Sequence, residues 1–291
     1  MRPQAALLSI GLLAAAPAAG AAERSEQGRS ESVFAKGNLV AWCIVPFDAE
    51  QRGPAERAEM LERLGIRRLA YDWRSRHVPT FEDEIIQMKK HGIDFFAFWS
   101  FHPAMAPLVR KHGVRPQFWL TVPSPKGATQ EARVEAAAKA LLPRVEQVRR
   151  LGCKLGLYNH GGWGGEPANM VAVCQWLRAN AHADHVGIVY NLHHGHGHIA
   201  DFRQTLEQMM PYLLCINLNG MKPGGPKILP IGAGTKELAM MKAIARSSYA
   251  GPIGILDHRG GVDAEKSLRQ NLEGMKKVLA RMGDEAALST Y

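Results

Sequence analysis

Eight times from Asn38 onward, a short run rich in β-branched and aromatic residues is followed by an amphipathic stretch. The runs are LVAWCIV near Leu39, RRLAYDW near Leu69, DFFAFW near Phe95, QFWLTV near Phe118, KLGLYN near Leu155, VGIVYN near Ile188, LLCINL near Leu214 and PIGILD near Ile253. They are apolar on both alternating faces, as strands must be when a core lies on one side and a helical layer on the other. The intervening stretches, at 55–64, 81–91, 104–112, 130–151, 168–181, 199–210, 236–247 and 264–282, have helical spacing, with Thr80, Thr129, Thr235 and Asp263 as candidate N-caps.

One joint recurs: Leu64-Gly65-Ile66, His91-Gly92-Ile93, His112-Gly113-Val114 and Leu151-Gly152-Cys153 each place glycine where a helix ends and a strand soon begins. Glycine takes the left-handed conformation there without a side-chain clash, so the joint reads as a repeated helix-to-strand turn. Eight alternations in 291 residues predict an α/β chain closed into a (β/α)8 TIM barrel rather than an open doubly wound sheet. No GxGxxG or GxxxxGK[ST] pattern follows the first strand, which speaks against a nucleotide-binding sheet.

Ahead of the repeat stands MRPQAALLSIGLLAAAPAAGAAERS, with Arg2, an apolar run at 5–16 too short to span a bilayer comfortably, and the small residues Ala19-Gly20-Ala21. This predicts a cleaved signal peptide at 1–22, a polar, mobile leader at 23–37, and the barrel at 38–291. The expected location is periplasmic or extracellular, without membrane insertion after cleavage. The net charge is +9, but the basic residues, such as Arg57, Arg63, Lys89, Lys90, Arg149 and Arg150, are spread along the helices. That pattern describes solvated helix faces, and no nucleic-acid partner is expected. Cys43, Cys153, Cys174 and Cys215 form no CxxC pair and sit in apolar runs, so four buried thiols are expected, with a disulfide left open.

In a barrel of this type the reacting groups lie at the C-terminal ends of the strands. Polar and aromatic residues concentrate there: Asp48; Tyr71, Asp72, Trp73 and Arg74; Trp99 and His102; Trp119 and Thr121; Tyr158, Asn159, His160 and Trp163; Tyr190, Asn191, His193 and His194; Asn217 and Asn219; Asp257, His258 and Arg259. Five of six tryptophans, Trp42, Trp73, Trp99, Trp119 and Trp163, fall in or just after strands. Aromatic faces stack on the C–H faces of sugar rings while amides and carboxylates pair with hydroxyls, so a small-molecule carbohydrate is the expected partner.

Two stretches say most. YNHGGWGGEP, from Tyr158 to Pro167, combines two pocket candidates, Tyr158 and His160, with four glycines that permit close backbone approach to a ligand. YNLHHGHGH, from Tyr190 to His198, holds four histidines in six residues, of which His193 and His194 lie nearest the strand. Imidazole can act there as acid, base or metal ligand. The candidate catalytic groups are Tyr158, His160, His194 and Asp257. The candidate substrate contacts are Trp73, Trp99, His102, Asn159, Trp163, Asn191, His193, Asn217, Asn219, His258 and Arg259.

LYNHGGW and YNLHHGH resemble the L-E-N-H-G-G and D-x-x-H strands of the xylose isomerase-like TIM-barrel superfamily, which includes sugar isomerases, epimerases, inosose dehydratase-type enzymes and endonuclease IV. The resemblance implies a barrel over nearly the whole mature chain and removal of a proton next to a carbonyl, through an enediolate. It also implies a divalent metal held by Glu, Asp, His and Glu from the last four strands. At the matching places this chain has Tyr158, Asn191, Asn217 and Asp257, only one of them anionic, so no metal or other cofactor is expected. A weaker or relocated metal on His160, His193 and Asp257 stays open.

Without metal, the oxyanion needs donors such as Asn159, Asn191, Asn217, Arg259 or a protonated histidine, and proton transfer falls to His160, His194 or Tyr158. Asp257 would orient a histidine or act as base itself. The implied activity is a sugar isomerase or epimerase on a non-phosphorylated sugar or keto-sugar; the alternatives are a keto-sugar hydratase or lyase and a non-catalytic saccharide-binding barrel. A nuclease of the endonuclease IV kind needs a many-carboxylate metal cluster that this chain lacks. The sequence does not set an oligomeric state.

Overall fold

The structure is a computed structural model, and it describes residues 32–291. Eight parallel strands close into a barrel in sequence order: β1 (Leu39–Trp42), β2 (Arg68–Asp72), β3 (Asp94–Trp99), β4 (Gln117–Thr121), β5 (Lys154–Tyr158), β6 (Val186–Asn191), β7 (Leu213–Leu218) and β8 (Ile253–Leu256). Pairing of β1 with β8, from Leu39↔Ile253 to Trp42↔Leu256, seals the ring and leaves no sheet edge. The outer layer is α1 (Pro54–Leu64), α2 (Phe81–Lys90), α3 (Met105–His112), α4 (Gln130–Arg150), the single turn α5 (Gly162–Gly165), α6 (Pro167–Ala181), α7 (Phe202–Met209), α8 (Glu237–Ala245), α9 (Ala264–Met282) and α10 (Glu285–Leu288). The expected (β/α)8 barrel is the observed fold.

The four glycine joints are left-handed, with φ of 68°, 64°, 65° and 65° at Gly65, Gly92, Gly113 and Gly152. Thr129 and Asp263 cap α4 and α9 through their side chains, whereas Thr80 makes no side-chain cap. At α8 the Glu237 carboxylate, rather than Thr235, takes the amides of Gly234 and Lys236.

Alternation along each strand sorts the core into two shells. Residues such as Leu39, Leu69, Phe98, Leu157, Ile188 and Ile255 pack outward against the helices. Val40, Trp42, Ala70, Ala97, Trp119, Tyr158, Val189, Cys215 and Leu256 fill the barrel interior. Large and small residues complement one another: a Cβ on Gly156 would lie 2.8 Å from Trp119 Cδ1 and 2.5 Å from Val189 Cγ2. Glycine at that position is what lets the Trp119 indole cross the barrel. Trp42 meets Trp119 edge-to-face at 4.8 Å, and the two close the interior beneath the strand tips.

The expected leader at 23–37 is corrected at its end. Phe34 and Ala35 are fully buried, Tyr291 Oη donates to the Phe34 carbonyl at 3.0 Å, and the Lys36 amide donates to Thr290 Oγ1 at 2.8 Å. An apolar phenylalanine in an otherwise polar stretch seats this segment on the C-terminus. The expected signal peptide at 1–22 and residues 23–31 of the expected leader lie outside the described residues. All four cysteines are buried and free. Among the described residues, no helix is long and apolar enough to cross a membrane.

Candidate active site

At the C-terminal mouth, aromatic and imidazole rings form a continuous wall. Trp99, the inward-facing last residue of β3, lies 4.6 Å from the Tyr158 ring and 5.7 Å from His160. His160 is 4.5 Å from His194, His194 is 4.0 Å from His193, and His193 is 5.6 Å from His258. Phe47 packs at a tilt on His258 at 4.1 Å, and the Arg74 guanidinium sits 5.5 Å over Phe47. Tyr158, His160 and His194 therefore converge, with Trp99 and His193 beside them.

Tyr158 Oη accepts from Trp42 Nε1 at 3.3 Å and from Asn191 Nδ2 at 2.5 Å, which leaves its own proton to give. Burial, with smaller contributions from Cys43 and Asp72, holds its pKa well above the ordinary phenol value, so it stays protonated. Burial and then the neighbouring imidazoles pull His193 down to about 4 and His194 down to about 3. Both are neutral near pH 7, and His193 Nδ1 is buried without a partner. His160 is exposed to water at the rim.

Other candidates lie elsewhere or are already engaged. Asp257 follows the inward Leu256 and so turns outward to α9, where Ser267 Oγ donates to it and Arg259 Nε lies 3.5 Å away. Burial lifts its carboxyl to about 6 despite those partners. Arg259 faces the same helix, donating to Ser267 and to Gln270 Oε1 at 3.3 Å. Asp257, expected as a catalytic group beside Tyr158, His160 and His194, is thus turned away by strand alternation, and Arg259, expected as a substrate contact, is engaged on α9 instead.

Trp163 donates to Gln130 Oε1 at 3.0 Å and lies under the Arg133 guanidinium at 4.7 Å, against the start of α4. Its glycine loop serves chain packing: a Cβ on Gly164 would strike the Val122 carbonyl. Trp73 and His102 pack on each other at 4.9 Å and on Phe81, in the outer layer. Asn159 bridges β5 to β6, giving to the Asn191 carbonyl at 3.0 Å and taking its amide at 2.8 Å. Asn219 holds the β7 loop through the carbonyls of Gly220 and Lys227. His196 and His198 tie loops together through the Lys222 carbonyl and Glu166. Asn217 is inward and fully buried, with Nδ2 unpartnered.

The divalent metal implied by the resemblance does not fit these donors. Both polar atoms of Asn191 are used, by Tyr158 and by the His193 amide, and Asn217 Oδ1 accepts from Cys215 Sγ. Asp257 is held by Ser267 and Arg259. A hard cation needs free, preferably anionic, oxygens, and this set has none facing the mouth. Among the described residues, no three His, Cys, Asp or Glu side chains gather as a metal site.

Trp42, Cys43 and Asp72 are buried beneath the mouth and Phe47 packs on His258 at its rim; sequence reasoning named Trp42 and Asp72 at strand tips without choosing them as site residues, and chose neither Cys43 nor Phe47. Parity was the available signal for Asp72, since it sits two positions after the inward Ala70.

No family model matches the chain, and no curated protein matches it in sequence. Solved structures do match in shape. The 3-keto-D-glucoside 4-epimerase YcjR from E. coli superposes with a TM-score of 0.60 at 12% identity, over 83% of this chain and 100% of that one. The probable 3-DHS dehydratase AsbF from Bacillus anthracis gives 0.61 at 13%, over 83% and 98%. The xylose isomerase domain protein from Planctomyces limnophilus gives 0.60 at 11%, over 86% and 99%. In fold, this chain is similar to these (β/α)8 barrels.

Proposed function

We propose that the chain is a sugar isomerase or epimerase acting on a non-phosphorylated sugar or keto-sugar by proton abstraction next to a carbonyl. One observation carries this reading: Tyr158, His160 and His194 converge beside the half-buried Trp99, above a buried floor. An indole face and a set of neutral hydrogen-bonding groups suit an uncharged, polyhydroxylated ring. Two of the structural neighbours, the 3-keto-D-glucoside 4-epimerase and a D-psicose 3-epimerase solved with D-fructose (TM-score 0.56, 12% identity), are sugar epimerases by name. The preference for non-phosphorylated substrates follows from the export expected for the N-terminal residues.

The chain's own groups divide the work as follows. Trp99 carries the sugar ring, and the free hydroxyl proton of Tyr158 pairs with the carbonyl oxygen as it becomes an enediolate oxygen. His160, open to water, takes the proton from the adjacent carbon. His194, kept neutral, hydrogen-bonds the substrate and holds His160 in place. General acid–base help of this kind contributes roughly 10²–10⁴-fold in rate.

The test is incubation of the purified protein in deuterated water with D-fructose, D-psicose and a 3-keto-glucoside, followed by NMR of the products. Deuterium at the carbon beside the carbonyl, with an epimer or isomer formed, is the expected result. Loss of water instead would make the enzyme a lyase. Saturable saccharide binding with no exchange would make the barrel a binding protein and overturn the reading.

A further inference from the structure

Asp72 closes β2 with its side chain directed into the barrel and only 2% of its surface exposed. No group meets either carboxyl oxygen in good hydrogen-bond geometry, and the Cys43 thiol and the backbone amides of Asp72 and Val45 are its nearest polar neighbours. Buried carboxylates are nearly always paired, and the proposed reaction gives this one no role. Beside it lies the thiol of Cys43, the residue following β1, which is buried and held in the left-handed region at φ 62°. A non-glycine residue in that conformation costs on the order of 1–2 kcal/mol, and such strain gathers at functional sites. β2 stands opposite β6 in the eight-membered ring, four strands away, so Asp72 and the β6 histidines come from opposite sides of the barrel.

We propose that Asp72 is a second catalytic proton donor of this pocket, working on the substrate face opposite His160. The inference rests on the proton-abstraction reading above. His160 takes the carbon-bound proton and becomes imidazolium, and the electron pair moves into the enediolate. The Asp72 carboxylic acid then gives its proton to the same carbon from the other side and is left as carboxylate. The carbon is inverted and nothing is oxidised. The reverse reaction, or exchange with water, returns the proton to Asp72. A single base would return the proton to the face it came from.

Burial is the largest influence on this carboxyl and lifts it to about 8, against opposing pulls from Arg74, backbone amides and Arg57. Cys43 and Tyr158 are its other titratable neighbours.

The experiment compares the full chain with Asp72→Asn, which keeps the shape and a hydrogen-bond donor. In the infrared difference spectrum at about pH 7, the protonated carboxylic acid band is expected to vanish with the substitution; a lost carboxylate pair would overturn the proposal. With the active keto-sugar in deuterated water, Asp72→Asn is expected to keep exchange at the reacting carbon while epimer formation falls 100-fold or more. Equal epimerisation by both proteins would overturn Asp72 alone. No exchange by the parent protein would overturn the proton-abstraction reading, and this proposal with it.

Discussion

The tips of β6 and β8 carry similar residues and end up with opposite characters. After β6, His193 and His194 stay half-buried at the mouth, and His193 Nδ1 has no partner. After β8, Asp257 and Arg259 are turned to α9 and satisfied by Ser267 and Gln270. Polar groups that a protein leaves unpaired in a concave place are available to a ligand, whereas paired ones hold the fold. The difference teaches that residue type at a strand tip says little until its partners are known.

The largest expected contrast is in turnover. His160→Ala is expected to cut kcat by about 10²-fold or more, with melting temperature nearly unchanged, because the residue is exposed. Asp257→Ala should do the reverse, costing about 1–3 kcal/mol of stability from unpaired Ser267 and Arg259 and leaving saccharide binding intact. Paired kinetics and denaturant curves check this, and an Asp257 variant that is stable but inactive would break the comparison.

Next is stability against pH. Asp257 is raised to about 6 in the folded protein, above its unfolded value of about 3.9. Between those values the folded state binds more protons, so its ionisation lowers stability as pH rises from about 4 to about 6. Asp72, raised to about 8, extends the same fall to about pH 8. Asp72→Asn should flatten the melting temperature across that range; a slope unchanged by the substitution would contradict the burial assigned to this carboxyl.

Below the mouth, Gly156→Ala should cost about 1–3 kcal/mol by pushing on Trp119 and Val189, measured by thermal unfolding. The smallest effect belongs to the loop histidines. Burial lowers His198, but its pairs with Glu166 and Asp201 outweigh that and raise it. It contributes at most about 1 kcal/mol, present at acid pH and lost as pH rises through its raised pKa, which His198→Gln should abolish.

Much of the barrel was legible in the sequence, because glycine at four helix-to-strand joints and doubly apolar strands leave few alternatives. The site was legible in part. Tyr158, His160 and His194 come from adjacent strands, and their neighbourhood follows from strand order alone. Asp257, Arg259 and Trp163 were misplaced because one residue of alternation, or one turn of glycine loop, sends a side chain to the helical layer. Counting parity from Leu256 and Ala70 would have turned Asp257 outward and Asp72 inward. Partnering with Gln130, Ser267 or Gln270 is a long-range property that no local pattern carries.

The central claim is that a sugar seats against Trp99 with its reacting carbon between Tyr158 and His160. A crystal structure of the protein with a keto-sugar bound tests it most directly. The account predicts the sugar ring on the Trp99 indole, with the carbonyl oxygen at Tyr158 Oη. A sugar found instead in the outer groove of about 750 Å³ lined by Ile231, Arg269, Gln270 and Gly274 would contradict it.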